Sequence, residues 1–300
     1  MVQRPSGVPA PGRPRPVLGL LAALSRALPG ASPHIQKAFT LAWYTLISVW
    51  ARTGDAGFMN YGYASLEENI PTEPETDDAS SLRLYAAVVD RANVFGKDVL
   101  EVGCGRGAGS HFILCALQAR SVTGVDLAGR AIARCRAEYR QTGLTFRQAD
   151  AERLPFANAS FDVVVNVESS HAYPSMAKFL DQVGRVLRPG GFLLFADLRA
   201  APELAALRTE LRASDLGVVE EEDITANVVR SLERRSPSTL ERLQAVPGPF
   251  RAAAIEFSAV VGTPTYELLK SGQTRYIRLI LRKTPALEQR HHRWKCITRI

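Results

Sequence analysis

Several things are scarce in this 300-residue chain, and each scarcity removes a class of function. There are only four cysteines (Cys104, Cys115, Cys135 and Cys296), with no Cys-x-x-Cys pair and no Cys/His spacing of the zinc-site kind. Neither a zinc module nor a disulfide framework is therefore expected, and the thiols read as reduced side chains of a cytoplasmic protein. No metal site is expected elsewhere either. The apolar stretch Ala38 to Trp50 has thirteen residues, whereas a membrane-spanning helix takes about twenty. Acidic residues are absent before Asp55, so residues 1 to 54 carry +6, and residues 283 to 300 carry +4. Against a net charge of +7 for the whole chain, that leaves the stretch 55 to 282 at −3. The basic charge lies at the two ends, so the body has no electrostatic footprint for nucleic acid, and no nucleic-acid partner is expected.

What is present centres on Asp98-Val-Leu-Glu-Val-Gly-Cys-Gly-Arg-Gly-Ala-Gly109, a short apolar run breaking into alternate glycines ahead of the helix-compatible segment His111 to Ala119. That is a strand, a tight turn and a helix. Alternate glycines allow positive φ and let the backbone approach a ligand that a Cβ would push away. By itself such a turn also serves nicotinamide and flavin cofactors, or simply joins a strand to a helix. The neighbouring residues add to it. Glu101 stands in the strand before the turn, and twenty-three positions beyond Gly103 the run Ser121 to Val125 ends in Asp126, where a carboxylate can accept both hydroxyls of a ribose. Asp150, expected to end a third strand, would reach an adenine amino group.

These pieces resemble the class I S-adenosylmethionine (SAM)-dependent methyltransferases. The matching segments are Val99 to Gly107, Gly124 to Asp126, Asp150 to Phe156, Phe161 to Val165 and Val186-Leu-Arg-Pro-Gly-Gly191, in the family's order over about residues 94 to 200. The resemblance implies SAM as cofactor and a doubly wound, Rossmann-like α/β fold with a seven-stranded sheet, a helical N-terminal extension and a helical cap insertion. It makes Glu101, Gly103, Gly105, Asp126, Leu127, Asp150, Ala151 and Asn166 cofactor-binding positions. The strand and helix alternation from Val94 agrees. Strands are expected at about 98–102, 121–125, 144–149, 161–166 and 191–197, with closing strands at about 253–260 and 275–282.

In order along the chain, residues 1 to 16 read as a disordered basic, Pro-rich tail. Residues 17 to 78 read as a helical lid segment. Val17 to Leu24 looks superficially like a signal-peptide core, but Arg26 follows it and the cofactor is an intracellular metabolite, which argues for a cytoplasmic protein. Between 38 and 50, Phe39, Trp43, Ile47 and Trp50 share one helix face. That face would pack on the domain or on a second subunit, cover an apolar acceptor, or reach a membrane surface with help from the basic residues. Tyr61 and Tyr63, in the aromatic segment from Phe58 to Ala64, are candidate cofactor contacts or packed core aromatics. The methyltransferase domain is assigned to 79–283, with a helical, charged cap at about 202–250 whose acids at Glu220 to Asp223 read as a solvated face. Residues 284 to 300 read as a basic tail.

Methyl transfer needs the acceptor held about 3 Å from the methyl group, and a hydroxyl acceptor must lose its proton. The loop after the fourth strand, Asn166-Val-Glu-Ser-Ser-His-Ala-Tyr-Pro174, offers His171 as general base, with an imidazole pKa near 6.5. Glu168 would orient it or act itself; His171 could instead merely pack the loop. The Asp/Asn-Pro-Pro-aromatic tetrad of enzymes that methylate DNA bases is missing. From Asn60 to Pro202 the chain is similar to the phthiotriolone and phenolphthiotriolone dimycocerosate methyltransferases, through Leu84-Tyr85, Gly96 to Val102, Asn166 to Pro174 and Ala196-Asp-Leu-Arg199, with a weaker echo at Gly262 to Tyr266 and Gly272 to Tyr276. That similarity implies O-methylation of a small apolar or lipid acceptor. C-methylation of a terpenoid or alkaloid and a non-catalytic SAM-binding scaffold are the alternatives.

Overall fold

A computed structural model describes residues 57–67, 76–90 and 92–284. The expectations for the tail at 1–16, the apolar run at 17–24, the aromatic-faced helix at 38–50 and the basic residues from 285 onward lie outside the described residues.

Seven strands form one sheet in the order β3-β2-β1-β4-β5-β7-β6. The strands are β1 (Asp98–Val102), β2 (Ser121–Asp126), β3 (Leu144–Gln148), β4 (Phe161–Val167), β5 (Leu187–Ala200), β6 (Leu216–Asp223) and β7 (Thr274–Lys283). The first five run parallel, and β7 lies antiparallel between β5 and β6. The helices are α1 (Asp77–Val89), α2 (Ala108–Cys115), α3 (Gly129–Glu138), α4 (Met176–Val186), α5 (Glu203–Ala213), α6 (Thr225–Leu243), α7 (Gly248–Phe257) and α8 (Pro264–Lys270). Successive side chains of a strand point to opposite faces, so each central strand feeds two cores. Val99, Val163 and Leu194 pack with α1, α2, α3, α6 and α8, whereas Leu100, Val164 and Leu193 pack with α4 and α5. Helix α4 shows why: Phe179, Leu180, Val183 and Val186 recur at helical spacing and are all buried, while the Ser175 side chain caps its start by accepting from the Lys178 amide. Burying Phe179 completely contributes on the order of 2–3 kcal/mol.

Three expectations about the second half are corrected. Residues 253–260 do not form a strand: they fall in α7 and the turn after it. The missing strand is β6, which carries the acidic stretch expected to lie in a helical cap; Glu221, Glu222 and Asp223 are exposed, as expected of a solvated face. Its acids are partnered across the strands. Arg278 of β7, whose side chain is 7 % exposed, pairs with Glu220 at 2.6 Å and with Glu222, and Arg275 pairs with Asp223 at 3.2 Å. An edge strand with a bulge between Val218 and Glu220 loses the alternation by which strands are recognised. The glycines at 190 and 191, expected as the turn before β5, lie within the strand at a register shift against β4. Among the described residues no helix is long and apolar enough to cross a membrane.

The aromatic segment is held in place by α6. Asn227 and Ala64 exchange bonds, the Asn227 amide donating to Ala64 O at 2.9 Å and the Ala64 N–H donating to Asn227 O at 3.2 Å. Ser231 donates to Tyr61 O at 3.2 Å and Arg235 to Asn60 O at 3.0 Å. This stretch therefore lies along the open end of the sheet.

Candidate active site

A cavity of about 600 Å³ opens where the chain's direction of travel through the sheet reverses, between β1 and β4. That is the ligand crevice of open α/β sheets. One wall is the turn after β1. Gly103, Gly105 and Gly107 all have positive φ, at 79°, 51° and 87°. Gly109 does not; it is required because a Cβ there would lie 2.2 Å from the Tyr85 ring. The Gly103 and Cys104 amides both donate to Val125 O, at 2.8 and 3.0 Å, which ties the turn to β2.

Asp126 ends β2 and faces the cavity. One of its oxygens accepts from the Gly105 amide at 3.0 Å and the other from the Ala128 amide at 2.8 Å. Burial raises its pKa, and those backbone donors work in the opposite direction. Leu127 lines the cavity beside it, as do Gly103, Gly105 and Tyr61. Tyr63 does not. Its residue neighbours are Ser80, whose carbonyl accepts the Tyr63 amide at 3.0 Å, and the α1 side chain Arg83.

Four other positions assigned to the cofactor lie off the cavity wall. Glu101 is 1 % exposed beneath the turn, where it accepts from the Tyr85 hydroxyl at 2.6 Å and from the Ser110 hydroxyl. Asp150 does not end a strand, because β3 stops at Gln148; its carboxylate closes a turn by accepting from the Glu152 amide at 2.9 Å, and Ala151 is buried in the second core. Asn166 is fully buried, its amide nitrogen 2.9 Å from Val102 O and 2.8 Å from Ser169 Oγ, so it fastens β4 to the end of β1.

Burial raises Glu101 to about 7, against the lowering effect of its two hydroxyl partners. With the folded value above the unfolded one, its contribution is most favourable below about pH 4.5 and is lost as pH rises through about 7. The difference is on the order of 3 kcal/mol. Glu101→Gln, which mimics the neutral acid, is expected to gain melting temperature over the wild type at pH 8 and to lose that advantage at pH 5. Parallel melting curves across that range would refute the assignment.

His171 sits in a short 3-10 turn (Ser170–Ala172) and lines the cavity, a third of its side-chain surface accessible. Its Nδ1 lies 2.7 Å from Oδ1 of Asp197. A carboxylate only accepts, so Nδ1 carries the proton and the neutral ring presents Nε2 as its basic nitrogen. Asp197, fully buried in β5, also accepts from the His171 amide at 2.8 Å and the Ser170 hydroxyl at 2.6 Å, and Arg199 lies 3.1 Å away. Burial alone would raise Asp197, but His171 and Arg199 hold it well below the ordinary carboxylate range. For His171, burial works downward and the Asp197 charge outweighs it, so the pKa is raised. Glu168 was expected to act as the base itself or to orient the imidazole. Asp197 orients it instead, and Glu168 bonds elsewhere, to the Tyr61 amide at 2.6 Å and the Tyr276 hydroxyl at 2.8 Å. Asp197 was not singled out from the sequence; the available signal was one carboxylate interrupting the otherwise apolar stretch Phe192 to Leu198.

Comparison with known proteins bears on this geometry. A methyltransferase-domain family model matches residues 100–195. The phthiotriol/phenolphthiotriol dimycocerosates methyltransferase of Mycobacterium tuberculosis is 36 % identical over 240 residues, 78 % of this chain and 88 % of that one. The chain is a class I SAM-dependent methyltransferase. A fatty-acid O-methyltransferase of Mycolicibacterium smegmatis is 40 % identical over 185 residues, 60 % of this chain and 66 % of that one. Among solved structures, the geranyl diphosphate C-methyltransferase of Streptomyces coelicolor superposes with a TM-score of 0.58 at 16 % identity, covering 85 % of this chain and 100 % of that one, which shows the shared fold.

The methyltransferase's crevice suits its cofactor. A Cβ on Gly105 would find its nearest neighbour, Met59 Sδ, only at 3.7 Å, so the space above this glycine is open to a ligand. A carboxylate has about four lone-pair sites, so Asp126 keeps acceptor capacity beyond its backbone donors.

Proposed function

We propose that this methyltransferase transfers a methyl group to a hydroxyl oxygen of an apolar, lipid-like acceptor, with His171 as the general base and Asp197 as the residue that orients it. The observation that carries the reading is the 2.7 Å His171–Asp197 contact in the cavity wall. SAM, when bound, supplies an electrophilic methyl group. Asp126 would accept from its ribose hydroxyls and Leu127 would pack against its adenine, with the glycine turn admitting the rest. His171 Nε2 would take the acceptor hydroxyl's proton, and Asp197 would stabilise the resulting imidazolium. Leu198 and Phe257, with Phe58 and Met59, supply the apolar part of the wall, which also carries Arg106, Arg130 and Arg134. The lipid class is supported by the relatives named for methylating phthiotriol dimycocerosates and fatty acids. A carboxylate acceptor would leave an oriented base at this position without a proton to remove, whereas methylation of an electron-rich alkene would call on it only afterwards, for the proton that the resulting carbocation loses.

The test is transfer of labelled methyl to a panel of long-chain secondary alcohols, the matching ketones and fatty acids. Transfer to the alcohols alone, with the label on oxygen by NMR, is the expected result; label on carbon or on a carboxylate would overturn the reading. The dyad makes a further prediction. Because Asp197 raises the His171 pKa, kcat should fall on the acid side at a pH above 6.5, as His171 becomes protonated. Asp197→Asn removes the charge, so that limb should move to lower pH while the plateau drops. An unmoved limb would mean that another group takes the proton.

A further inference from the structure

Glu168 is the residue immediately after β4, and its backbone is left-handed, with φ at 45°. A non-glycine residue there costs about 1–2 kcal/mol, and such strain persists only where the surroundings enforce it. The consequence is that the side chain enters the cavity wall instead of continuing the strand. One of its oxygens, Oε1, receives two donors at once: the backbone N–H of Tyr61 at 2.6 Å and the hydroxyl of Tyr276 at 2.8 Å. Tyr276 is itself fully buried in β7, and its amide donates to Thr225 Oγ1 at 2.9 Å at the start of α6. The hydroxyl is thus presented from a rigid position. Tyr61 belongs to the segment that α6 grips from the other side through Ser231 and Arg235.

We propose that Glu168 is a positioning residue that, together with Tyr276, clamps the Asn60–Tyr63 segment onto the end of β4 and so sets the roof of the cavity over the bound methyl donor. This rests on the reading of the cavity as the donor site, but it assigns Glu168 neither proton transfer nor the orientation of His171, which Asp197 supplies. Two hydrogen bonds converging on one carboxylate oxygen are the strong, charge-assisted kind while Glu168 is ionised; burial pushes its pKa up to about 7, so the clamp is strongest above that pH, and the segment it holds contributes Asn60 and Tyr61 to the cavity lining.

The decisive measurement is hydrogen exchange at the Tyr61 amide of the full chain without cofactor, alongside calorimetric titration with SAM. In Glu168→Ala this amide should exchange about ten- to a hundredfold faster, the size expected for a lost hydrogen bond to a charged group, and SAM affinity should fall by a similar factor. Tyr276→Phe, which removes one hydroxyl from a buried ring, should produce a smaller increase in the same amide and a smaller loss of affinity. Glu168→Gln, which keeps an acceptor oxygen, should fall between Glu168→Ala and the wild type. The acid limb of kcat should stay where it is in Tyr276→Phe. Unchanged Tyr61 exchange in Glu168→Gln and Tyr276→Phe would overturn the proposal, as would normal SAM affinity in both. Should His171 prove not to be the base, the exchange result would stand unaffected, because it is measured without acceptor or turnover.

Discussion

His171→Ala is expected to lower kcat by about 10²- to 10⁴-fold, the range set by losing a positioned general base, while the affinity for SAM measured by calorimetry stays within a factor of about two or three. The two readouts separate because the imidazole lies at the β4–β5 side of the cavity, whereas Asp126 and the glycine turn lie at the β1–β2 side. The fold should tolerate the change. Asp197 would keep the Ser170 hydroxyl, the His171 amide and the Arg199 guanidinium as partners, so removing the ring does not strand a buried charge. A loss of this size confined to kcat identifies an interaction made in the transition state. Normal turnover on the true acceptor would remove His171 from the mechanism.

Gly103→Ala is expected to abolish detectable SAM binding and to cost about 2–4 kcal/mol of stability, from positive φ and overpacking together. A Cβ at Gly103 would lie 2.2 Å from Ser169 Oγ and 2.4 Å from Ser169 Cβ, at a φ of 79°. Ser169 has little freedom to yield, since its hydroxyl is 2.8 Å from both Tyr173 OH and Asn166 Nδ2. The backbone must move instead, and with it the amides that pin the turn to Val125. Pairing it with Ser169→Gly separates the two causes. The double variant should recover stability relative to Gly103→Ala by removing the collision, and should retain the deficit due to φ. No recovery would mean that the collision is not what the alanine costs.

Much of this site was legible along the chain because it depends on local geometry. Gly103, Gly105 and Asp126 occupy positions where a parallel strand ends and a turn must begin, and both the positive φ values and the carboxylate facing the crevice follow from that. His171 was visible for a similar reason, as the one titratable group near neutrality in the loop after β4. Its partner was not. Asp197 lies twenty-six residues away on a different strand, and only the pairing of β4 with β5, Asn166 beside Phe195 and Val167 beside Ala196, brings the two loops' ends together. Glu168 illustrates the opposite error. Proximity in sequence suggested that it serves His171, but a left-handed φ turns it toward Tyr61 and Tyr276. The acidic stretch at 220–223 is largely exposed, as read, but its place in a strand was not visible because its counter-charges, Arg275 and Arg278, are more than fifty residues downstream.

From residues alone came the α/β class, the five parallel strands to within a few positions, and the glycine turn, the Asp126 carboxylate and the fourth-loop histidine that line the cavity, since each is written in spacing, apolar runs and glycines that act over one strand and its turn. Tertiary structure decided the order of the closing strands, the withdrawal of Glu101, Asp150 and Asn166 from the cavity wall, and the Asp197 and Tyr276 partnerships. Those depend on which strands become neighbours and on which buried polar groups must find donors or acceptors when they do, and a strand's neighbour is set by packing across the whole sheet.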